Sequence, residues 1–355
     1  MTIHFLLLAL ALIVLLVSVD KNHYKKIIFI SSLIFFITAF IIITFRAETV
    51  GNDTHVYVDF FKMSALTSNF HILLESTRFE SGYVALNYII SRLTNDYTIF
   101  FFVCNIINFF CTIYFFRKYC LNKNAWPFFW IIWGTYYLSF NTVRAGIAIS
   151  LAYLFFDAVL QKKIPKAIIA LALAVSFHTS ALFCSIAMLF KVPLIQKITK
   201  HRIILVIAFL CMGIFLNQMM SLLPDYYQQY YTDSQWAEGG VRLASVMDFI
   251  FLSLFYIITT IRNPDKIDWQ YYRDFRFFFL IGVGFSFLGI IFNLFNRIEM
   301  FFIPLAAIYI LNSFKYIDNL RKLITLGTAF ALTVYQIVSF MIRPEWLGIF
   351  PYYFR

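Results

Sequence analysis

The sequence predicts an all-α polytopic membrane protein of about twelve transmembrane helices, with both termini extracytoplasmic. Three observations carry that prediction. Hydrophobic residues make up 61% and charged residues 13% of the 355 residues, a balance that a water-soluble domain does not have. Apolar runs recur at close to the roughly 20 residues needed to cross a bilayer as helix. Finally, 20 of the 29 Lys and Arg fall in short segments that alternate along the chain, as they do in cytoplasmic loops.

Taken in order, the predicted spans are 3–19, 27–45, 98–116, 126–140, 143–160, 165–177, 179–190, 203–220, 246–261, 275–295, 298–313 and 323–342. The first run lacks a basic leader and a small-residue cleavage site, and Lys21, Lys25 and Lys26 follow it. It therefore reads as a span and not as a signal peptide. With the N-terminus outside, the basic segments 20–26, 117–125, 161–166, 191–202, 262–276 and 314–322 are all cytoplasmic. Counting Asp248 and Glu299 at the outer ends of their spans, the outer side holds 12 of the 18 Asp and Glu, and it includes the two long loops, 46–97 and 221–245. Within the first, the stretch from Glu80 to Leu93 is expected to be a helix along the interface, with Tyr83, Leu86, Tyr88, Ile89 and Ile90 toward the membrane. The whole chain reads as one integral membrane domain.

The net charge of +11 is accounted for by those loops and does not point to nucleic acid. Cys104, Cys111, Cys120, Cys184 and Cys211 fall in spans or at their ends and read as packed thiols. No metal-binding spacing and no phosphate-cradling glycine loop stands out, so no cofactor is expected.

Residues that could carry chemistry gather on the outer side. Arg144 opens the fifth span, where a guanidinium either finds an anion such as a diphosphate or snorkels to headgroups. His178, in SFHTSA, is either a capping residue of a helical hairpin or a general base. Arg297 and Glu299 share a tight turn, as a structural ion pair or as an anion contact with its support. Arg242 is a weaker case of the same kind. In the long first loop, Arg46 follows the second span directly. Asp53 suits an N-cap for a helix from Thr54, and Glu80 suits a first helical turn, unless one of them is a catalytic carboxylate. Tyr57, Tyr83, Tyr226, Tyr227, Tyr230, Tyr231 and Trp236 are candidate sugar platforms, or an interfacial aromatic belt.

In order, Arg46, VGNDTHVYVDFF, FESGYVALN, NTVRAGIAIS, SFHTSA and the closing RPEWLGIFPYYFR resemble the EpsG and Wzy-type polysaccharide polymerases from about residue 40 onward. Ala145 departs from the Gln that often follows the helix-opening Arg there. The resemblance implies a membrane glycosyltransferase of GT-C-like architecture in the bacterial inner membrane, with its active site on the periplasmic or outer face. It would polymerise undecaprenyl-diphosphate-linked oligosaccharide repeat units, both donor and acceptor, into O-antigen, capsule or exopolysaccharide. A chain-length regulator and membrane lipids are its expected partners. For such a reaction, Arg144, Arg297 and then Arg46 are the choices for diphosphate contacts. Asp53 or Glu80, and then His178, are the choices for the base. Tyr57, Tyr83, Arg242 and Trp236 are placed on the glycan. A flippase for the lipid-linked unit is the rival, disfavoured because mid-span positions carry almost no charge. An outer-face ligase or O-acyltransferase is the other alternative.

Overall fold

The computed structural model describes residues 1–17, 25–193, 202–215, 218, 242–261 and 267–355. The described residues are helical apart from loops and one isolated antiparallel bridge, Arg46 to Phe354. Five helices are long and apolar enough to cross a membrane, at Lys26–Thr44, Tyr97–Tyr119, Val143–Leu160, Tyr272–Ile291 and Asn319–Ile342. Shorter apolar helices occupy Thr2–Val17, Ile164–Val175, Leu243–Thr259 and Ile303–Ser313, close to predicted runs. Many of their outward residues are apolar, among them Phe29 at 64% exposed, Ile257 at 68% and Phe330 at 71%. Such surfaces belong in a lipid environment, not in water, and mark a polytopic membrane protein.

The chain divides into two units, Met1–Cys184 with Ala329–Arg355, and Ser185–Thr328. In the first unit we label α1 (Thr2–Val17), α2 (Lys25–Thr44), α3 (Thr54–Leu66), α4 (Phe70–Glu75), α5 (Ser81–Ser91) and α6 (Tyr97–Tyr119). They are followed by α7 (Trp126–Ile132), α8 (Thr135–Asn141), α9 (Val143–Leu160) and α10 (Ile164–Val175). Helices α6 and α9 are joined by ring stacking of Phe115 on Tyr153 at 5.1 Å. Asp157 fastens the far end of the pair, accepting from Tyr119 Oη at 2.6 Å and Gln161 Nε2 at 2.7 Å and pairing with Lys118 at 2.6 Å.

Two predicted elements come out differently. The run 126–140 is not one continuous helix but the helices α7 and α8, broken at Gly134, whose φ of +70° favours glycine. At the break the Ile131 carbonyl accepts from Gly134 N at 3.0 Å and from Gln336 Nε2 at 2.9 Å. Hydropathy does not register such a break, because the residues on both sides stay apolar. The run 179–190 is a 3-10 helix, Thr179–Ser185, continued by α11 (Ile186–Leu189). The helix expected over Glu80 to Leu93 forms as α5, but Tyr83 is 0% and Ile90 6% exposed, so these two pack inward while Ile89, at 59%, faces out.

The C-terminal segment is bound back onto the loop after α2. Arg355 N donates to Phe45 O and Ala47 N to Tyr353 O, each at 3.0 Å, and Gly51 N donates to Gly348 O at 2.7 Å. Asn52 Nδ2 donates to the carbonyls of Glu345 and Trp346, both at 3.0 Å.

In the second unit the described helices are α11, α12 (Arg202–Ile214), α13 (Leu243–Thr259), α14 (Tyr272–Ile291), α15 (Phe295–Glu299) and α16 (Ile303–Ser313). Phe190 stacks on Phe277 at 4.4 Å, and Lys191 pairs with Asp274. The last long helix, α17 (Asn319–Ile342), runs from this unit into the first.

Candidate functional site

Three segments of the first unit bring their polar residues to one point. Glu80 stands at the N-cap of α5, Arg144 is the second residue of α9, and His178 lies in the turn that ends α10. One Glu80 oxygen, Oε2, accepts from Arg144 Nη1. The other, Oε1, takes His178 Nδ1 and the backbone N–H of Thr179, each at 3.2 Å. The side chains of Glu80 and His178 are each 13% exposed and that of Arg144 22%, so the cluster is sheltered yet open.

Close backbone packing makes the meeting possible. Gly82 N donates to Ser176 O at 2.8 Å, and a Cβ on Gly82 would lie 2.8 Å from that same carbonyl oxygen and 2.3 Å from Ser176 Oγ. Only glycine lets α5 start this near the end of α10. Phe79 supplies the other wall, with the Arg144 guanidinium 4.5 Å from its ring centroid, a cation–π contact worth more where water is excluded. Arg144 Nε is buried with no hydrogen-bond partner among the described residues. The guanidinium thus keeps donor capacity beyond what Glu80 uses.

Burial by itself would push the Glu80 carboxyl up, but the hydrogen bond from His178 and the charge of Arg144 outweigh it and bring it down to about 2. Such a carboxylate is a weak base, although sequence reasoning ranks Glu80 ahead of His178. Its folded value lies below the unfolded 4.5. It therefore contributes stability at neutral pH, on the order of 3 kcal/mol, that is lost as the pH falls through 4.5 toward 2. In melting curves taken stepwise from pH 6 to pH 3, the wild type should lose more stability than Glu80→Gln, which has no such group to titrate. Parallel curves would contradict the assignment.

The remaining predicted residues stand elsewhere. Arg46 is 1% exposed and faces inward. Its guanidinium donates to Ile43 O, to Thr54 Oγ1 at 3.3 Å and to Phe140 O at 3.5 Å, and lies 4.2 Å from the Phe101 ring. This is a fastener between α2, α3 and α8, not an arginine offered to a diphosphate. Tyr57 and Tyr83, at 4% and 0% exposed, do not present faces to a sugar. They build an aromatic block with Phe60 and Phe79, with Tyr83 at 5.3 Å from Phe79 and 5.8 Å from Tyr57, and so support the ring beneath Arg144.

Asp53 is exposed at the N-cap position of α3 and makes no side-chain capping bond there. Arg297 and Glu299, in the second unit, are not an ion pair. Arg297 is exposed while Glu299 is 1% exposed, since residues two apart on a helical turn point to different sides. Arg242, at the N-cap of α13, donates Nη1 to Asn293 Oδ1 at 2.9 Å in the hydrogen-bonding orientation of that amide. Trp236, Tyr226, Tyr227, Tyr230 and Tyr231 lie outside the described residues. Sequence reasoning missed Phe79, the Thr179 amide and the Gly82–Ser176 contact. The glycine in FESG, two residues after Glu80, was the available signal.

Among the described residues, no group of three or more His, Cys, Asp or Glu could hold a metal ion. Comparison with curated proteins finds no match, and comparison with solved structures finds none either. A family model does match, that of the EpsG family, over residues 27–354. With nearly its whole length matched, and with the apolar helices and the conjunction of FESG, TVRAG and SFHTS in one cluster, this chain belongs to the EpsG family, a family of Wzy-type polymerases.

Proposed function

We propose that the chain is a membrane glycosyltransferase that polymerises undecaprenyl-diphosphate-linked oligosaccharide repeat units at the outer face of the bacterial inner membrane, making O-antigen or a related surface polysaccharide. The twelve-span topology with both termini outside belongs to this reading, and loop charge supports it. The observation that carries the reading is the contact of Glu80 with both Arg144 and His178.

Each group then has one task. The acceptor hydroxyl attacks the anomeric carbon of the donor glycan, its proton passes to His178, and the bond from that carbon to the diphosphate oxygen breaks. Undecaprenyl diphosphate leaves with the bonding electron pair. Arg144, placed at the edge of this centre, stabilises the charge that grows on the leaving diphosphate. Glu80 is a positioning residue. Accepting the proton on Nδ1 of His178 fixes the tautomer whose Nε2 is free to act as base, and the same carboxylate holds Arg144 in place.

A transporter reading fares less well, because the polar cluster lies at helix ends and in turns. Reaction of the purified protein with a single lipid-linked repeat unit decides between them on a gel. A ladder of products is expected; an unchanged band from folded protein would reject polymerisation.

A further inference from the structure

A cavity of about 500 Å³ opens beside the α3 start, lined by Glu48, Thr49, Gly51, Asn52, His55 and Asp59. Its size falls in the range of small-ligand sites. No residue of the Glu80 cluster lines it, and its chemistry is different. The lining offers carboxyl, amide, hydroxyl and imidazole groups, all exposed except at Gly51, and it contains no Phe, Tyr, Trp, Leu, Ile or Val. His55 and Asp59 are four residues apart on α3 and so share one face.

The cavity wall is fixed in place. Asn52 N donates to Asn141 Oδ1 at 2.7 Å, while its Nδ2 is tied to the C-terminal segment. Tyr57 Oη donates to Asn141 O at 3.3 Å. Asn141 ends α8 and precedes Arg144 by three residues, so at most about 11 Å of chain separates the residue bracing the cavity from the arginine.

We propose that this cavity is the glycan subsite: it holds a neutral or amino-substituted sugar residue of the lipid-linked substrate whose diphosphate is at Arg144. The inference rests on the function proposed above. Carboxylates and amides bind sugar hydroxyls and amides through charge-assisted or neutral hydrogen bonds, while two carboxyl groups, Glu48 and Asp59, disfavour a uronic or sialic acid by like-charge repulsion. Glu48 is also paired with Lys62 Nζ at 3.3 Å. Since Tyr57 and Tyr83 are buried, the cavity also fills the role that sequence reasoning gave to those rings.

Three probes test it: polyprenyl diphosphate alone, the same lipid diphosphate carrying N-acetylglucosamine, and the same carrying glucuronic acid. Dissociation constants are measured on the purified full chain in lipid nanodiscs. The wild type should bind the N-acetylglucosamine form about tenfold more tightly than the bare lipid diphosphate, the effect of one good charge-assisted hydrogen bond. It should show no such gain for the glucuronate. In His55→Ala/Asp59→Ala the gain should vanish while the bare lipid diphosphate binds as before. Both positions are exposed, so the variant is expected to fold, and an unchanged melting temperature checks that.

A gain that survives in the double variant, an equal loss for all three probes, or glucuronate binding as tightly as N-acetylglucosamine would each overturn the subsite. Arg144→Ala reports separately. If it binds bare lipid diphosphate like the wild type, the reading of the Glu80 cluster fails, and the sugar-dependent gain still judges the cavity.

Discussion

Arg144→Ala should abolish polymer. The expected fall in turnover is about 10²- to 10³-fold, the usual cost of deleting a donor that stabilises charge developing in a transition state. The protein should still accumulate but melt a few degrees below the wild type, because Arg144 supplies part of what keeps Glu80 charged, while His178 and the Thr179 amide remain on that carboxylate. Arg144→Lys retains the charge but not the planar fork, so it should recover only part of the activity. Chain-length distributions on a gel, read beside the level of folded protein, give the answer. Long chains persisting in Arg144→Ala would remove the arginine from the mechanism.

Arg46→Ala should produce the opposite pattern, in which the fold fails first. The guanidinium is buried among two carbonyls, a hydroxyl and the faces of Phe101 and Phe140. Truncation leaves those acceptors unpaired and opens a cavity, at a cost of about 3–5 kcal/mol. Expression should drop and the melting temperature in detergent should fall by roughly 5–10 °C. Whatever protein remains folded should keep its specific activity. Loss of polymer with normal level and melting temperature would instead return Arg46 to the substrate.

These two arginines show what the sequence made legible. Both follow or open an apolar run on the side that loop charge marks as outer, and both stand within family-like motifs. Sequence position therefore gives each the same role. What separates them is the direction of the side chain: Arg144 meets a carboxylate at an opening, whereas Arg46 turns inward under the C-terminal segment. That turn depends on contacts with Phe140 and Phe354, distant in sequence, and no local pattern encodes it.

The meeting of Glu80, Arg144 and His178 was nearer to being readable, because charge counting assigns all three to one face. Their order of duties was not, since it rests on which Glu80 oxygen faces which partner. Similarly, the apolar periodicity of α9 and α14 sufficed to place them, whereas the break at Gly134 hides inside an apolar run. Tyr57 and Tyr83 look like sugar platforms in a polar loop, yet the packing of Phe60 and Phe79 around them places them in the core.

The bond between residues 45–52 and the last dozen residues has a consequence for biogenesis. Asn52 and its acceptor on Trp346 are separated by 294 positions, and Tyr352 reaches the Ile42 carbonyl across 310. Contacts of such long range form late, after the loop-closure entropy between them has been overcome. Synthesis proceeds from the N-terminus, so the loop carrying Glu48, His55 and Asp59 enters the membrane assembly long before its clasp exists. A nascent chain stalled between Thr179 and Pro344 would hold every residue of the Glu80 cluster and still lack the brace of the cavity beside it. The cavity is thus braced only once residues 345–355 have been made, later than every segment of the Glu80 cluster.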